Sequence, residues 1–435
     1  MFKRFRSMPA TAMAAVLGCA MMISAAPAGA KEKKEKDKKE EAKGGGISVS
    51  KGFMPAAKKM EDAFKAKDAA ALQAALAEAQ PTATTPDDKY LAGFYQLQLG
   101  ILNKDTTLQG QGLDTMLETG LTPAESAAAY NFYSGNFAYG AKNYAKAVQR
   151  LEAAKAAGST DAQLPLLLMD SYLQQGQVDQ GITVAKAAIE ASRAAGQRPS
   201  DELYVRPIQA LQKANRSNEM LDLMTLRMRD YNQPQVWRQT LFILLQQTGE
   251  NKEIALDTLR LMRATKSMLQ RPEYSEYAAL ATEAALPGEV VALIKEGKAS
   301  KVIPTPDPNF DGVAKAQGER AGDEESTLTA YAQKPSTQSN PKVAGATGDA
   351  MVGYGRYADA IPLYKAALTA GGDKELWTYR MGVAQALSGD AAGAKASFAQ
   401  VTGPRKRLAD LWVIKVDGGA ATPAPAAAEA PATGS

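Results

Sequence analysis

The sequence predicts an all-α protein built from stacked antiparallel helix pairs. From Gly52 onward, apolar residues recur at helical spacing in segments of roughly 12–16 residues, which are interrupted by Gly, Asn, Asp or Pro. No segment of useful length shows the alternating Val, Ile and Thr pattern of a strand. The helical segments also repeat at a step of 34 residues, a length that suits one helix pair.

The 34-residue step aligns residues of the same type in two parts of the chain. In the later part, the matched pairs are Gly348 with Gly382, Gly355 with Gly389, Ala360 with Ala394, and Tyr364 with Phe398. In the middle, they are Tyr144 with Val178, Ala147 with Gly181, Leu151 with Ala185, and Ala154 with Ala188. Two further copies begin near residues 201 and 235, and weaker units cover 53–80, 88–120 and 270–300.

Each matched position has a physical role in a helix pair. A glycine in the turn permits a tight reversal with positive φ. Asn143 and Asp390 stand where the next helix needs an N-cap. Small residues at Ala147, Ala360 and Ala394 allow two helices to approach closely, and a ring or Leu fills the adjoining gap. Because one face of each pair remains apolar, a pair is stable only against its neighbours.

These units resemble tetratricopeptide repeats. The segment "GYGRYADAIPLYKAAL" carries the pattern of that family as Gly355, Tyr357, Ala360, Tyr364 and Ala367. The match is strong for four units and covers roughly two thirds of the chain. The resemblance implies a right-handed superhelical solenoid of antiparallel helix pairs, with a concave groove that binds peptide segments.

The first 30 residues have the features of an export signal. A basic start, "MFKRFR", precedes an apolar stretch and the small-residue site Ala28-Gly29-Ala30. We therefore expect cleavage after Ala30 and a periplasmic location. The alternative concerns Cys19, because "VLGC" partly resembles the lipobox of bacterial lipoproteins and implies lipidation of that cysteine and an outer-membrane lipoprotein.

The remaining composition divides the chain into five further segments. We expect a charged flexible linker at 31–46, a helical array at 47–301 and a Pro-rich polar hinge with a possible helix at 302–341. A C-terminal repeat pair with a capping helix is expected at 342–416, and a disordered Ala/Pro tail at 417–435. The capping helix is expected to turn Leu408, Leu411 and Ile414 inward.

Charge and composition argue against several classes of function. The formal net charge is +4, but residues 1–30 contribute +3 and residues 31–43 contribute +2, so the rest of the chain carries −1. That balance does not favour nucleic-acid binding. The sequence has no His and one Cys, which excludes zinc sites built on His and Cys and catalysis by Ser–His or Cys–His pairs. We expect no cofactor and no metal.

Three short motifs resemble known chemical sites, but none lies in the structural context that its chemistry requires. "GYGRY" lies between helices rather than after a strand, so it is not expected to hold phosphate. Ser339 and Lys342 match the S-x-x-K spacing but lack its companion motifs. The acids at 323–325 lack the alternating spacing of a calcium loop and are expected to begin a solvated helix.

The best candidates for partner binding lie on one helix face. Within "YNFYSGNFAYG", Tyr130, Tyr133 and Phe137 are expected in the core, while Phe132, Asn136 and Tyr139 share another face. In the resembling family, that second face lines the concave groove. The same positions in the following units are Asp170, Gln174, Gln209, Lys213 and Gln246. The competing interpretation is that Phe132 and Tyr139 pack against the preceding repeat.

The sequence thus favours a non-catalytic periplasmic scaffold that binds protein or peptide partners from the cell envelope in its groove. The alternative is a lipid-anchored assembly factor of the outer membrane, whose contact with the membrane runs through Cys19. An enzyme acting on envelope polymers is disfavoured, because little length remains outside the helical repeats for a catalytic domain.

Overall fold

The computed structural model describes residues 47–418. Over this range the chain forms 21 α-helices and one short 3₁₀ helix at Gln80–Thr82, without a strand. The predicted all-α fold of helix pairs is confirmed. The predicted signal segment, the charged linker, Cys19 and residues 419–435 of the predicted tail lie outside the described residues.

The chain forms two compact units. The first comprises residues 47–191 and 205–210, and the second comprises 192–204 and 211–418. The segment 302–341, which was expected to separate two arrays, lies inside the second unit. It contains a 25-residue helix, Pro308–Ala332, that begins at a proline and is capped by Asp307.

Helices connected by short turns follow one another through both units. The helices that begin before residue 200 are α1 Met54–Lys65, α2 Ala69–Ala79, α3 Pro86–Leu102, α4 Thr106–Glu118, α5 Ala124–Gly140, α6 Tyr144–Ala156, α7 Leu164–Gln174 and α8 Val178–Ala194. The next are α9 Glu202–Lys213, α10 Ser217–Asp230, α11 Pro234–Gln247, α12 Lys252–Ala264, α13 Arg271–Glu283 and α14 Pro287–Ala299. The last are α15 Pro308–Ala332, α16 Pro335–Ser339, α17 Pro341–Gly353, α18 Tyr357–Thr369, α19 Lys374–Ser388, α20 Ala391–Phe398 and α21 Lys406–Val416.

The backbone of the turns repeats at the predicted step. Residues with a left-handed conformation occur 34 positions apart in three pairs: Lys142 and Gly176, Asn215 and Gly249, and Gly355 and Gly389. The helices after the first of these pairs begin at Tyr144 and Val178, which the sequence had matched. The N-caps are also confirmed, because the Asn143 side chain accepts a hydrogen bond from Lys146 N and the Asp390 side chain accepts one from Gly393 N.

Within the helix pairs, a glycine of the first helix faces a larger side chain 16 residues later. A Cβ on Gly348 would lie 2.9 Å from the ring of Tyr364, and one on Gly382 would lie 2.7 Å from the ring of Phe398. Gly135 stands in the same relation to Leu151. Any larger residue at these positions would push the two helices apart, so the glycines fix how closely each pair packs.

The end of the second unit packs against its beginning. Its last helix, α21, packs against α20 and α19 and also against α10 and α12 from much earlier in the chain. Leu408, Leu411 and Ile414 are buried as predicted, and they join one apolar cluster with residues from α11 to α14. The last helix of the unit therefore packs against helices from its beginning.

Candidate functional site

The predicted groove residue Phe132 lies in the core of the first unit. Its side chain is only 3% exposed and belongs to an apolar cluster with Leu151, Leu164 and Leu168. The expectation that it faces a partner is therefore corrected. Aromatic side chains have a large apolar surface. Packing Phe132 between two helix pairs removes that surface from water, which stabilises the fold.

Three other predicted residues meet in one polar cluster of the first unit. The hydroxyl of Tyr139 donates a hydrogen bond to Asp170, and the Gln174 amide lies 3.5 Å from the other oxygen of that carboxylate. Arg206, which the sequence analysis did not single out, forms an ion pair with Asp170 at 2.8 Å. Burial raises the pKa of Tyr139 to about 12, and its hydrogen bond to Asp170 adds to the shift. The cluster joins helices of successive repeats.

Of the predicted groove residues, four are exposed and one is half-buried. Gln174 and Gln209 are exposed in the first unit, and Asn136 is half-buried there. Lys213 and Gln246 are exposed in the second unit. Their participation in partner binding remains a prediction.

An ion pair that recurs between successive repeats was not predicted from the sequence. Asp114 pairs with Arg150 at 3.0 Å, and Arg271 pairs with Asp307 at 2.7 Å. Both pairs, like Asp170 with Arg206, join residues 36 positions apart. An Arg and an acid separated by slightly more than one repeat is the signal that a search for charged repeats would have detected.

The second unit contains a large open cleft. Its volume is about 1170 Å³, and it lies between α12 and α13 on one side and α15, α17 and the start of α19 on the other. Charged residues and six large apolar side chains line it, and all six except Leu280 are buried: Leu256, Leu280, Leu286, Leu328, Leu376 and Trp377. The cleft could not be predicted from any single stretch of sequence, because the residues that line it come from segments more than 100 residues apart.

Trp377 owes its position in the cleft to a glycine. A Cβ on Gly345 would lie 2.3 Å from the indole, so only glycine allows Trp377 to approach α17 this closely. The indole also stacks on the ring of Tyr364, with centroids 6.0 Å apart. Its exposed fraction is 7%, so only a small part of the side chain is accessible from the cleft.

The floor of the cleft contains buried charges that pair with one another. Arg260 makes two hydrogen bonds to Glu289, at 2.9 and 2.7 Å, and the Tyr277 hydroxyl donates to the same carboxylate at 2.5 Å. Burial alone would raise the pKa of Glu289, but Arg260 and Tyr277 outweigh it and hold that pKa below its usual value. The arrangement keeps Glu289 ionised.

A second carboxylate in the floor lies closer to its protonated form. Asp349 accepts hydrogen bonds from Arg380 and from the Tyr364 hydroxyl, the latter at 2.7 Å. Burial raises the pKa of Asp349, and the neighbouring guanidinium groups of Arg380 and Arg260 offset only part of that effect.

Asp257 links these pairs to the last helix. Its carboxylate lies 3.3 Å from Arg260 and 3.6 Å from Arg380, and it accepts a hydrogen bond from Arg405 at 2.8 Å. We refer to Asp257, Arg260, Glu289, Asp349, Arg380 and Arg405 as the buried ion network. Three acids face three arginines, so the formal charges of the network cancel when all three acids are ionised.

One side of the cleft rim carries acidic groups. Glu324, Leu328 and Tyr331 line the cleft from one face of α15, and Tyr331 is 43% exposed. Glu324 accepts a hydrogen bond from the Tyr354 hydroxyl at 2.7 Å, and its sequence neighbours Asp323 and Glu325 are exposed. The acidic stretch that the sequence analysis assigned to the start of a helix therefore lies in the middle of α15.

The described residues offer no cluster of three or more His, Cys, Asp or Glu side chains with the geometry to hold a metal ion. Within the same range, no helix is long and apolar enough to cross a bilayer. The size of the cleft, its open mouth and the large apolar side chains in its lining suit a site that receives another molecule.

Comparison with protein-family models finds no matching family, and comparison with curated proteins finds no match. Solved structures with weak similarity include Naa15/Naa10 bound to HypK-THB, at 12% identity and a TM-score of 0.34, over 84% of this chain. The pentatricopeptide repeat protein PPR10 from maize matches at 13% identity and a TM-score of 0.27, over 84% of this chain. A Rap protein complexed with competence and sporulation factor matches at 12% and 0.23, over 82% of this chain and 98% of its own.

The chain spans about three fifths of the first two of these proteins, covering 61% and 62% of them. At these TM-scores, the matches carry no argument about function. The fold resembles tetratricopeptide repeats because of features in the chain itself: the 34-residue spacing of its turns and the repeated contact of a glycine with a larger side chain.

Proposed function

We propose that this protein is a non-catalytic scaffold that binds a segment of a partner protein in the cleft of its second unit. The observation that carries the proposal is a preformed cleft of about 1170 Å³ with leucine and tryptophan walls. Sites for small ligands usually occupy about 300–1,000 Å³, so this cleft has room for several residues of a peptide. Large apolar side chains in a concave site are the usual anchors of such binding.

The charges in the cleft support binding rather than catalysis. Arg260 and Arg380 are engaged by carboxylates of the buried ion network, and Lys252 at the rim pairs with Glu283 at 2.6 Å. An acid, base or nucleophile for catalysis needs a free reacting group aimed at the substrate. Arg260, Arg380 and Lys252 are instead used to hold the helices together.

The proposed location is the periplasm, which rests on the signal-like residues 1–30. The competing proposal is an outer-membrane assembly factor anchored through a lipid on Cys19. Mass spectrometry of the mature N-terminus decides between them. A mature chain that begins at Lys31 supports the soluble form, and a chain that begins at a lipidated Cys19 supports the anchored one.

Filling the cleft tests the proposed function. Ala346 is exposed and lines the cleft on α17, so Ala346→Trp places a large side chain in the binding volume without entering the core. Ala330 is exposed on α15 and does not line the cleft, which makes Ala330→Trp the matched control. Both proteins should retain the helical content and melting temperature of the wild type.

Partners captured from envelope extract should be lost with Ala346→Trp and retained with Ala330→Trp. Equal recovery by both variants would remove the cleft as the binding site. In that case Gln174→Ala combined with Gln209→Ala tests the exposed amides of the first unit. Loss of partners in that variant alone would move the site to the surface expected from the sequence.

A further inference from the structure

The cleft of the second unit has a charge asymmetry that the proposed function does not use. Nine charged residues line it, five of them acids. Most of them form ion pairs within the second unit. Lys252 pairs with Glu283 and Glu253 with Arg405, while Arg260, Asp349 and Arg380 pair within the buried ion network. Among residues 47–418, Glu324, Asp373 and Lys342 are the lining charges that form no ion pair.

Two of these three charges lie on the same side of the cleft mouth. Lys342 stands beside Pro341 at the start of α17, and Asp373 follows Gly372. A Cβ on Gly372 would lie 2.8 Å from Pro341, so the segments that carry Lys342 and Asp373 are adjacent. Two acids and one base are thus left unpaired in the lining, which gives these three residues a formal net charge of −1.

Glu324 is the unpaired carboxylate of the α15 wall. It is half-buried, and the exposed carboxylates of Asp323 and Glu325 stand beside it in the chain. Tyr331 presents an exposed ring two turns further along the same helix face, where Lys334 already lies 5.3 Å from the ring centroid. A carboxylate and the face of a phenol ring are both sites that attract a cation.

We infer that the cleft takes a basic apolar peptide segment: aliphatic or aromatic side chains against the leucines and Trp377, and a Lys or Arg at Glu324. This inference rests on the proposed function and specifies its ligand. An acidic segment would bring like charges to the α15 side, whereas a basic one gains a charge-assisted hydrogen bond at a half-buried carboxylate.

Selection from a library of displayed random heptapeptides tests the charge preference. The targets are the full chain, its Glu324→Lys variant, its Glu324→Gln variant and the control Glu276→Lys. Glu324→Gln keeps an acceptor for the Tyr354 hydroxyl, and Glu276 is an exposed acid outside the cleft lining. The wild type and the control should enrich Lys and Arg over Asp and Glu, and Glu324→Lys should abolish that enrichment.

Trp377 reports the affinity of the selected peptides. Of the three tryptophans, Trp237 and Trp412 are buried in the apolar core of the unit, so a change in emission on peptide binding should vanish in Trp377→Phe. Basic peptides should bind Glu324→Gln about five-fold and Glu324→Lys more than five-fold more weakly than the wild type at low salt. The preference should shrink at high salt.

Two different failures are distinguishable. If Glu324→Lys selects peptides of the same charge as the wild type, the charge inference is overturned while binding in the cleft stands. If no target enriches any peptide, or if the selected peptides bind Ala346→Trp as tightly as the wild type, the proposed binding site itself is overturned.

Discussion

Gly382 and Gly322 occupy the same kind of position, the interior of a helix in the second unit, but their surroundings differ. A Cβ on Gly382 would lie 2.7 Å from the ring of Phe398, whereas one on Gly322 would meet no atom within 4 Å. At Gly382, the contact between helices leaves room only for glycine. At Gly322, no contact requires a glycine.

Substituting alanine at each glycine should therefore change stability in opposite directions. Gly382→Ala should lower the free energy of unfolding by about 1–3 kcal/mol, because the added methyl group overpacks the contact with Phe398. Gly322→Ala should raise it by about 0.5–1 kcal/mol, because alanine restricts the unfolded chain and favours the helix. Urea unfolding measures both changes, and the same sign for both would contradict the contact geometry.

Asp257 is the residue on which the buried ion network depends most. It is 1% exposed and contacts three arginines from α12, α19 and the segment before α21. Removing one partner of a buried ion pair leaves the other charges without compensation in a medium that solvates them poorly.

Asp257→Ala should lower the free energy of unfolding by about 3–5 kcal/mol. The control is Asp222→Ala, which breaks a pair with Arg407 at 2.8 Å in which the Asp222 side chain is 61% exposed. This exposed pair should contribute less than about 1 kcal/mol. Equal losses in the two variants, measured by urea unfolding, would show that burial does not set the strength of these pairs.

At the scale of elements, three successive helices are held by one carboxylate. Arg260 from α12 and Tyr277 from α13 both bond to Glu289 at the start of α14. The folded-state pKa of Glu289 lies below its usual value, so its ionised form stabilises the fold above the unfolded pKa of about 4.3. That stabilisation is lost as the pH falls through the folded pKa.

Glu289→Gln should therefore be destabilised most at neutral pH, and its difference from the wild type should shrink below about pH 4.3. Urea unfolding at pH 7.0, 4.5 and 3.5 measures the trend. The control Glu283→Gln removes a carboxylate that is 58% exposed, so it should change stability by less than about 1 kcal/mol throughout. A difference for Glu289→Gln that does not vary with pH would contradict the proposed linkage.

Helices and their turns were the features that local sequence could predict. Asn143 and Asp390 cap helices because a short acceptor side chain at a helix start has one favoured role. The role of Phe132 could not be predicted in the same way, since a ring on a helix face packs against whichever neighbour lies there. Helical spacing shows which residues share a face but not what covers it.

At the scale of the whole molecule, the sequence indicated the repeats but not the closure of the second unit. Arg405 reaches Asp257 across 148 residues, and no local pattern encodes so distant a pairing. The resemblance to an open repeat array even favoured the opposite expectation, a concave surface left free along the chain. The cleft was missed for the same reason, because it exists only when α12 and α13 face α15 and α17.

Because α21 packs against early and late helices of the second unit, the stability of that unit depends on it. Its side chains Leu408, Leu411, Trp412 and Ile414 are all less than 5% exposed. Truncating a buried side chain of this size costs about 2–5 kcal/mol, so losing four of them rivals the total stability of about 5–15 kcal/mol that folded proteins have. Removing the segment 402–418 also takes away Arg405 and leaves Asp257 with one fewer partner.

A chain that ends at Val401 should therefore lose the cooperative unfolding of the second unit and bind several-fold more of the dye ANS, which reports exposed apolar surface. A chain that ends at Gly418 keeps every contact described for α21 and is the matched control, since it should unfold at the wild-type urea concentration. Circular dichroism should show that the chain ending at Val401 retains the helices of the first unit. Cooperative unfolding of that chain at the control's midpoint would mean that the repeats on either side of the cleft are stable without the closing helix.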